Sequence, residues 1–558
     1  MEGRESWDAV VIGSGLGGLV CAAYLAASGR SVLVLEQHDV AGGNSHVFRR
    51  RRRYEFDVGV HYLGDCGPDG VLPAIFAGVG LRDRIAFRSM DPDGFDRIML
   101  PGYRLDMPVG WDAYRSRLLA ALPDDAEGID TFVDVCEAIG REARDSLLST
   151  VEVTAAALLE RTPVSLRWGR RTLTQLFDHC GLSAAARTVL AAQSPNYGMG
   201  PAEATVSMHA TVTDHYLRGA YYPVGGGQVL AASLVEAIES HGGEIRTRTC
   251  VERILVEGGK VRGVGLADGT VASAPVVVSN ADYRRTMLDL VGAEHLPGSL
   301  VRKTTTATMG MPFATLYLAL DREIAGLPNA NIWWYDTTDI DAYYESLAGD
   351  WNGEVPFLFM SFASVKDPDS ATVCPPGHSN FQVMTLCPPR HDAWRADGDA
   401  AASGRYRRDR GYLDGKGRLT DAMVDAAESV LGPLRDSVVH RELATPLTHE
   451  RYTWSTGGTP FGLARWGTGG SRPDTRTTVD GLYVVGASTR YGSGITGVAV
   501  GGIACAGQIL ERRLIPAVHG GEVLADTARL PDRDDRWDPL RVSRGAARRD
   551  ARGLARIG

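Results

Sequence analysis

Apolar and polar positions alternate along the first forty residues in a strand, helix, strand order. DAVVIG at 8–13 is a short apolar run, residues 15–28 carry apolar side chains on nearly every turn, and SVLVLE runs to Glu36. That order predicts a βαβ unit. From about 111 to 200 the period changes, with Ile129, Phe132, Val133, Cys136 and Ile139 at helical spacing, so a helical insertion is expected. Between 221 and 280 short strands return, and VERILVEGGKVRGVGLADGTV alternates around two turns as a small antiparallel meander would. Residues 300–390 mix strands with the aromatic-rich NIWWYD and PFLFMSF, and 418–432 reads as an amphipathic helix, together suggesting a second domain. GLYVVGA and the glycine-rich run 494–510 then restore the α/β layout. Beyond about Pro516 the chain is rich in Arg, Asp and Gly, and a flexible tail is expected.

Composition narrows the class. At 558 residues the chain exceeds one ordinary core, so two domains are expected, and 44% hydrophobic residues with a net charge of -9 fit a globular protein without a nucleic-acid partner. The eight cysteines are scattered, with no C-x-x-C pair and no metal-ligand spacing, which signals neither a disulfide framework nor a metal site and fits a reducing cytoplasm. Residues 9–27 imitate a signal peptide, yet Glu2, Glu5 and Asp8 stand where a basic region belongs. The apolar run 494–510 falls short of the roughly 20 residues that span a bilayer.

Gly13, Gly15 and Gly18 satisfy G-x-G-x-x-G directly after a strand and at a helix start, the context that gives the pattern its meaning. The first glycine permits a tight turn, the second lets the backbone approach a pyrophosphate, and the third lets helix and strand pack closely. Glu36, at the end of the second strand, is placed to accept from adenosine ribose hydroxyls. The fingerprint leaves NAD and FAD open. Gly42, Gly43 and Asn44 form a second turn able to approach phosphates, followed by FDVGVHY at 56–62.

With these motifs in view, the sequence resembles the flavin-dependent family of phytoene desaturases, carotenoid isomerases and retinol saturases, itself related to amine oxidases. Four segments carry the likeness: the N-terminal 10–45; FDVGVHYLG; YYPVGGGQVL through the meander to VVVSNAD; and GLYVVGASTRYGSGITGVAVGG. The resemblance implies an α/β protein with a Rossmann-type FAD-binding domain assembled from residues 1–110, 221–290 and 470–515. Residues 111–220 and 291–469 would form an α+β substrate-binding domain with the helical insertion, and 516–558 the tail. It further implies that Gly13, Gly15 and Gly18 lie on the pyrophosphate and Glu36 on the ribose. Val251 would meet the adenine, Gly486, Ala487 and Ser488 the ribityl and pyrophosphate region, and Gly494, Ile495 and Thr496 would begin a helix aimed at the isoalloxazine. Asn44 stands where many members carry Arg or Lys, and Ala487 where amine oxidases carry an acid.

No activated nucleophile or paired carboxylate stands at diagnostic spacing, so the flavin is the expected reagent. His61 and Tyr62 are candidates for proton transfer or substrate positioning, or for hydrogen bonding near the cofactor. Arg490 and Tyr491 are candidates for the pocket wall. Trp333, Trp334, Tyr335, Phe357, Phe359 and Phe362 either line an apolar tunnel or pack a core. The arginines 49–53 and the basic stretch 541–556 suggest peripheral membrane contact, with a solvated hairpin as the plain alternative. The expected function is an FAD-dependent oxidoreductase that desaturates, saturates or isomerises carbon–carbon bonds of an apolar polyene or isoprenoid, with an unknown electron donor or acceptor. Two alternatives stay open: an amine or other small-molecule oxidase on the same scaffold, and a non-catalytic escort-type binding protein.

Overall fold

The computed structural model describes residues 4–150, 155–348, 351, 353–388, 390–394, 400–466 and 472–546. Its first organising element is a five-stranded, wholly parallel sheet in the spatial order Glu244–Thr247, Val32–Glu36, Ala9–Ile12, Val276–Ser279 and Leu482–Val484. Because strand side chains alternate faces, Val11, Val32 and Val34 pack beneath the helices Leu16–Ala27, Gln228–Ser240 and Gly494–Ile509. Val10, Ile12, Leu33 and Leu35 point the other way, against Val251, Ile254, Val261 and Val264 of the meander. That meander is antiparallel across Val251–Glu257, Lys260–Leu266 and Val271–Ser273, as its turns predicted. The segment around it is less purely β than its turns suggested, since the 13-residue helix Gln228–Ser240 stands between two of its strands.

A seven-stranded mixed sheet organises the remainder, ordered Val438–Ala444, Phe313–Leu320, Ser379–Leu386, Phe357–Ser361, Asn331–Tyr335, Asp96–Leu100 and Tyr103–Met107. The last two strands lie inside the 1–110 stretch expected for the first domain, yet Asp96–Leu100 pairs in parallel with Asn331–Tyr335. The boundary expected at 110 therefore moves back to the mid-nineties. One face of this sheet packs on the helical insertion, through Trp333, Tyr335, Phe357 and Phe359. The other packs through Ile332, Leu358, Met360 and Val383 on the helix Arg410–Leu431.

The tail expected beyond 516 is also corrected. Arg533 pairs with the buried Glu236 at 2.7 Å and stacks on Trp537, whose indole N–H donates to Glu236 at 2.6 Å. Further on, the Ser543 hydroxyl accepts from Gln228 and its carbonyl accepts from the Ala41 N–H. Specific pairing with buried polar groups thus outweighs the charged composition through residue 546, while most of the basic stretch 541–556 lies outside the described residues. Among the described residues no helix is long and apolar enough to cross a membrane.

Candidate active site

Between the two sheets lies a cavity of about 1820 Å³. One end is built from the tight turn at the carboxyl end of Ala9–Ile12. Gly13 has φ +84°, and the helix Leu16–Ala27 begins at Gly15 with no side chain capping its first N–H groups. Such uncapped N–H groups stabilise phosphate charge. A Cβ on Gly15 would stand 2.3 Å from Asn280 Nδ2, and one on Gly18 would stand 2.7 Å from the Gly13 carbonyl, so the turn closes only with glycine. Glu36 fastens this loop to the next strand: one oxygen accepts from Ser14 N and Oγ at 2.9 and 2.6 Å, the other from His38 N at 2.7 Å. The Gly42 N–H donates to the Ser14 carbonyl, laying the second glycine turn beside the first.

Of the residues the motifs singled out, Gly13, Gly15, Glu36, Gly42, Gly43, Asn44 and Val251 line this end of the cavity. Gly18 sits just behind, against Gly13 and Val11. Gly486, Ala487 and Ser488 line its middle, and Gly494, Ile495 and Thr496 its far part. There the helix Gly494–Ile509 starts without a side-chain cap, and Thr496 Oγ1 is buried with no partner among the described residues. Two uncapped helix starts, a glycine cradle, a carboxylate at the strand end and an orphaned hydroxyl form a donor set that fits an adenine-dinucleotide flavin along its length.

The seven-stranded sheet contributes Phe313, Thr315, Trp333, Phe359 and Met384 to the lining and no charged residue. The aromatic segments therefore divide: Trp333 and Phe359 reach the cavity, while Tyr335, Phe357 and Phe362 are buried in the cores on either side and Trp334 packs against one of them. His61 lines the cavity edge-on to Phe359, with ring centroids 5.8 Å apart. Burial, then the Lys366 charge and His449, push its imidazole down to about 3, and its Nδ1 is buried without a partner among the described residues. It is a neutral ring at neutral pH.

Tyr62 differs from its neighbour. Its ring lines the cavity and stacks on Tyr216 at 4.2 Å, but its hydroxyl donates to Asp96 at 3.0 Å and accepts from Asn196 at 2.9 Å. The phenol is committed to a buried network, and burial raises it well above its ordinary range. Arg490 and Tyr491 both line the cavity, with Arg490 exposed, paired to Asp474 at 3.0 Å and lying over the Tyr491 ring. The arginines 49–53 are not a free basic patch. Arg49, though exposed, pairs with Glu55 and Asp538, and Arg50 pairs with Glu442, while Arg51, Arg52 and Arg53 form the exposed turn.

Several residues escaped sequence reasoning. Asn280 accepts from the Gly18 N–H at 3.1 Å and carries the inner wall of the phosphate turn; it stands in the SNAD segment that carried the resemblance. His449 lines the cavity, with burial pushing it down to about 4. Asp96, Gln193, Asn331 and Lys366 form a buried polar cluster behind His61 and Tyr62, and nothing in their sequence context marks them.

Comparison with known proteins agrees with this geometry. Residues 16–510 match the model of the family described as flavin containing amine oxidoreductase. All-trans-retinol 13,14-reductase of Macaca fascicularis is 30% identical over 543 residues, covering 91% of this chain and 86% of that protein. The chloroplastic prolycopene isomerase of Daucus carota is 28% identical, covering 90% of this chain and 80% of that protein. The solved structure of cyclohexylamine oxidase from Brevibacterium oxydans superposes with a TM-score of 0.57 at 17% identity, covering 91% of this chain and all of that one, a likeness of fold. The chain belongs to the flavin containing amine oxidoreductase family and is an FAD-dependent oxidoreductase.

Proposed function

We propose that this enzyme saturates or isomerises a carbon–carbon double bond of an apolar polyene of isoprenoid type. The observation that carries the reading is the uncharged set Phe313, Thr315, Trp333, Phe359 and Met384 that the seven-stranded sheet contributes to the same cavity as Gly494, Ile495 and Thr496. An extended apolar chain is stabilised there by burial alone, at about 25 cal/mol per Å² of apolar surface. The relatives named as a retinol reductase and a prolycopene isomerase support the same substrate class and favour saturation or isomerisation over desaturation.

Bound FAD supplies hydride chemistry at its ring system. Gly13, Gly15, Gly18 and the turn Gly42, Gly43 and Asn44 would cradle its pyrophosphate, Glu36 its ribose and Val251 its adenine. Gly486, Ala487 and Ser488 would follow the ribityl chain, and the N–H groups after Gly494, Ile495 and Thr496 would stabilise negative charge on the ring. His61, neutral beside the apolar wall, can orient the polyene or hold a proton at Nε2 without placing a charge against it. Phe313, Trp333 and Phe359 can cage an amine as well as line a polyene site, but the sheet side of the cavity offers no carboxylate to meet an ammonium. An escort protein would have no use for the glycine cradle and uncapped helix starts.

A lipophilic substrate must also reach the cavity. Helices Ala155–Arg161 and Pro163–Trp168 expose Leu159 and Leu166 beside the exposed Arg161, Arg167 and Arg170, and Arg170 lines the cavity. This rim suits an anionic lipid surface better than the ion-paired arginines 49–50 do. Sedimentation with phosphatidylserine vesicles should be lost in L159D/L166D and kept in R51A/R52A/R53A; the reverse pattern would remove the assignment.

The function itself is tested by anaerobic mixing of the oxidised and the reduced holoenzyme with retinoids, carotenoids and primary amines. Reoxidation of reduced flavin by a polyene, with loss of one double bond, is the result expected for saturation. A changed polyene geometry without net flavin oxidation is expected for isomerisation. Reduction of oxidised flavin by an amine, with polyenes inert, would sink the proposal.

A further inference from the structure

The turn that carries His61 is held from behind by a lysine outside every motif. Lys366 ends the short helix Ala363–Lys366 that follows the strand Phe357–Ser361, and it is 1% exposed. Its ammonium donates to the His61 carbonyl at 2.7 Å, to Ser361 Oγ at 2.7 Å and to the Asn331 amide oxygen. All three N–H groups are thereby used. Asn331 passes the connection to Asp96 through its Nδ2 at 2.8 Å, and Asp96 also accepts from Tyr62 and Gln193. On the other side Asp57, in the same turn as His61, accepts from the Gly227 N–H at 2.8 Å and from the Tyr222 hydroxyl. The segment from Asp57 to Tyr62 is thus gripped between one buried cation and two buried carboxylates.

Resting on the placement of His61 at the reacting face, we propose that Lys366 is the positioning residue of this centre, fixing the His61 main chain, and with it the ring, and keeping a positive charge behind the imidazole. A buried ammonium is unfavourable unless paired and hydrogen-bonded, and here one of its three donors is directed at the carbonyl of the residue that meets the cavity. The groups facing His61 are Lys366, His449, Tyr62 and Phe359; those facing Lys366 are Asp57, Asp96, Tyr62 and Tyr222. Burial opposes ring protonation first and the Lys366 charge second; burial also lowers Lys366 itself to about 7, so its charge is held over the acid range in which a free histidine would titrate. His61 therefore stays neutral through the range in which a free histidine would titrate, so no charge is set against an apolar chain.

The test uses full-length holoenzyme in four forms: wild type, K366Q, K366R and K366Q/H61Q. The flavin absorption spectrum is followed from pH 8 downward through the acid range, and kcat and KM are measured with whichever substrate the wild type turns over. In K366Q the acid-side change of the flavin spectrum is expected to move to higher pH than in wild type, a displacement that K366Q/H61Q lacks, while K366R, which keeps the charge, behaves as wild type; burial, which remains, keeps the ring below the free-histidine range. In K366Q kcat should fall about tenfold or more through misplacement of the ring, with KM little changed. A K366Q protein with the wild-type spectral profile and unchanged kcat, or a displacement that survives H61Q, would overturn the proposal. Should K366Q fail to fold, K366M, which keeps the apolar stem and removes the charge, is read in the same way; the absence of a His61-dependent displacement there overturns the proposal equally. The spectral readout needs no turnover, so an enzyme that ignores every polyene refutes the functional reading while the positioning role is still decided.

Discussion

Gly18→Ala should purify nearly free of flavin. Its methyl group would lie 2.7 Å from the Gly13 carbonyl oxygen and 2.9 Å from Asn280 Cβ, closer than real Cβ contacts come. The first contact is with backbone, so no flexible side chain can move aside. Relief must come from shifting the phosphate turn itself or from breaking the bond between the Gly18 N–H and Asn280 Oδ1. Overpacking of this kind costs about 1–3 kcal/mol, or roughly 5- to 150-fold in affinity if the strain is borne by the turn that binds. Gly298→Ala, where a methyl group meets nothing within 4 Å and φ is unexceptional, is the matched control. The ratio of flavin to protein absorbance and a titration of apoprotein with FAD give the answer. Equal affinity in the two variants would show that the helix start after Gly15 is not where the pyrophosphate is held.

The second large effect is a loss of stability below pH 6.5. Five histidines are held neutral chiefly by burial: His46, His209 and His449 are pushed down to about 4, and His61 and His215 to about 3. Unfolding returns each to about 6.5, so between pH 6.5 and 4 the unfolded chain binds more protons at these sites. Their stabilisation is present above 6.5 and is lost as pH falls, each contributing up to about 1.4 kcal/mol per pH unit. Asp57 and Asp96 act in the opposite sense. Burial raises both to about 6, so the folded state binds the extra protons between about 6 and 3.8.

Glu55, Asp65, Asp336 and Asp341 are raised by burial as well, but only Asp57 and Asp96 reach about 6, so between pH 7 and 5 the five imidazoles dominate and acidification destabilises. Urea unfolding of the holoenzyme should show a midpoint that falls steadily from pH 7 to 5, with net proton uptake on unfolding. A midpoint that is flat or rises over that interval would mean that the five imidazoles are solvated or paired in the folded protein.

How much of this was legible depends on whether the chemistry is local. The phosphate turn could be read because only glycine fits there, and its three positions fall within six residues of one another. The meander could be read because its turns are short and its strands alternate. The strands Asp96–Leu100 and Tyr103–Met107 were misplaced because pairing with Asn331–Tyr335 is settled over more than two hundred residues, which no local pattern records. The segment beyond 516 misled for a different reason: its charged composition resembles that of a loose tail, but Arg533 and Trp537 are spent on the single buried acid Glu236. Lys366 was invisible because its partners, His61, Asn331 and Ser361, come from three separate stretches of chain.

The parallel sheet also has a bearing on how the protein is made. Its edge strand Leu482–Val484 and the helix Gly494–Ile509 are synthesised long after Ala9–Ile12 and Val32–Glu36, and also after Val276–Ser279, the strand that the edge strand pairs with. At roughly 5–20 residues per second, the polypeptide between Glu36 and Leu482 takes about 20 to 90 s to synthesise. Throughout that interval Val276–Ser279, once formed, has an unpaired edge, and the hydrophobic face of Leu16–Ala27 lacks its later neighbour. Until the Gly494–Ile509 segment is made the flavin site lacks one of its two uncapped helix starts, and the open edge of Val276–Ser279 is free to pair with other strands.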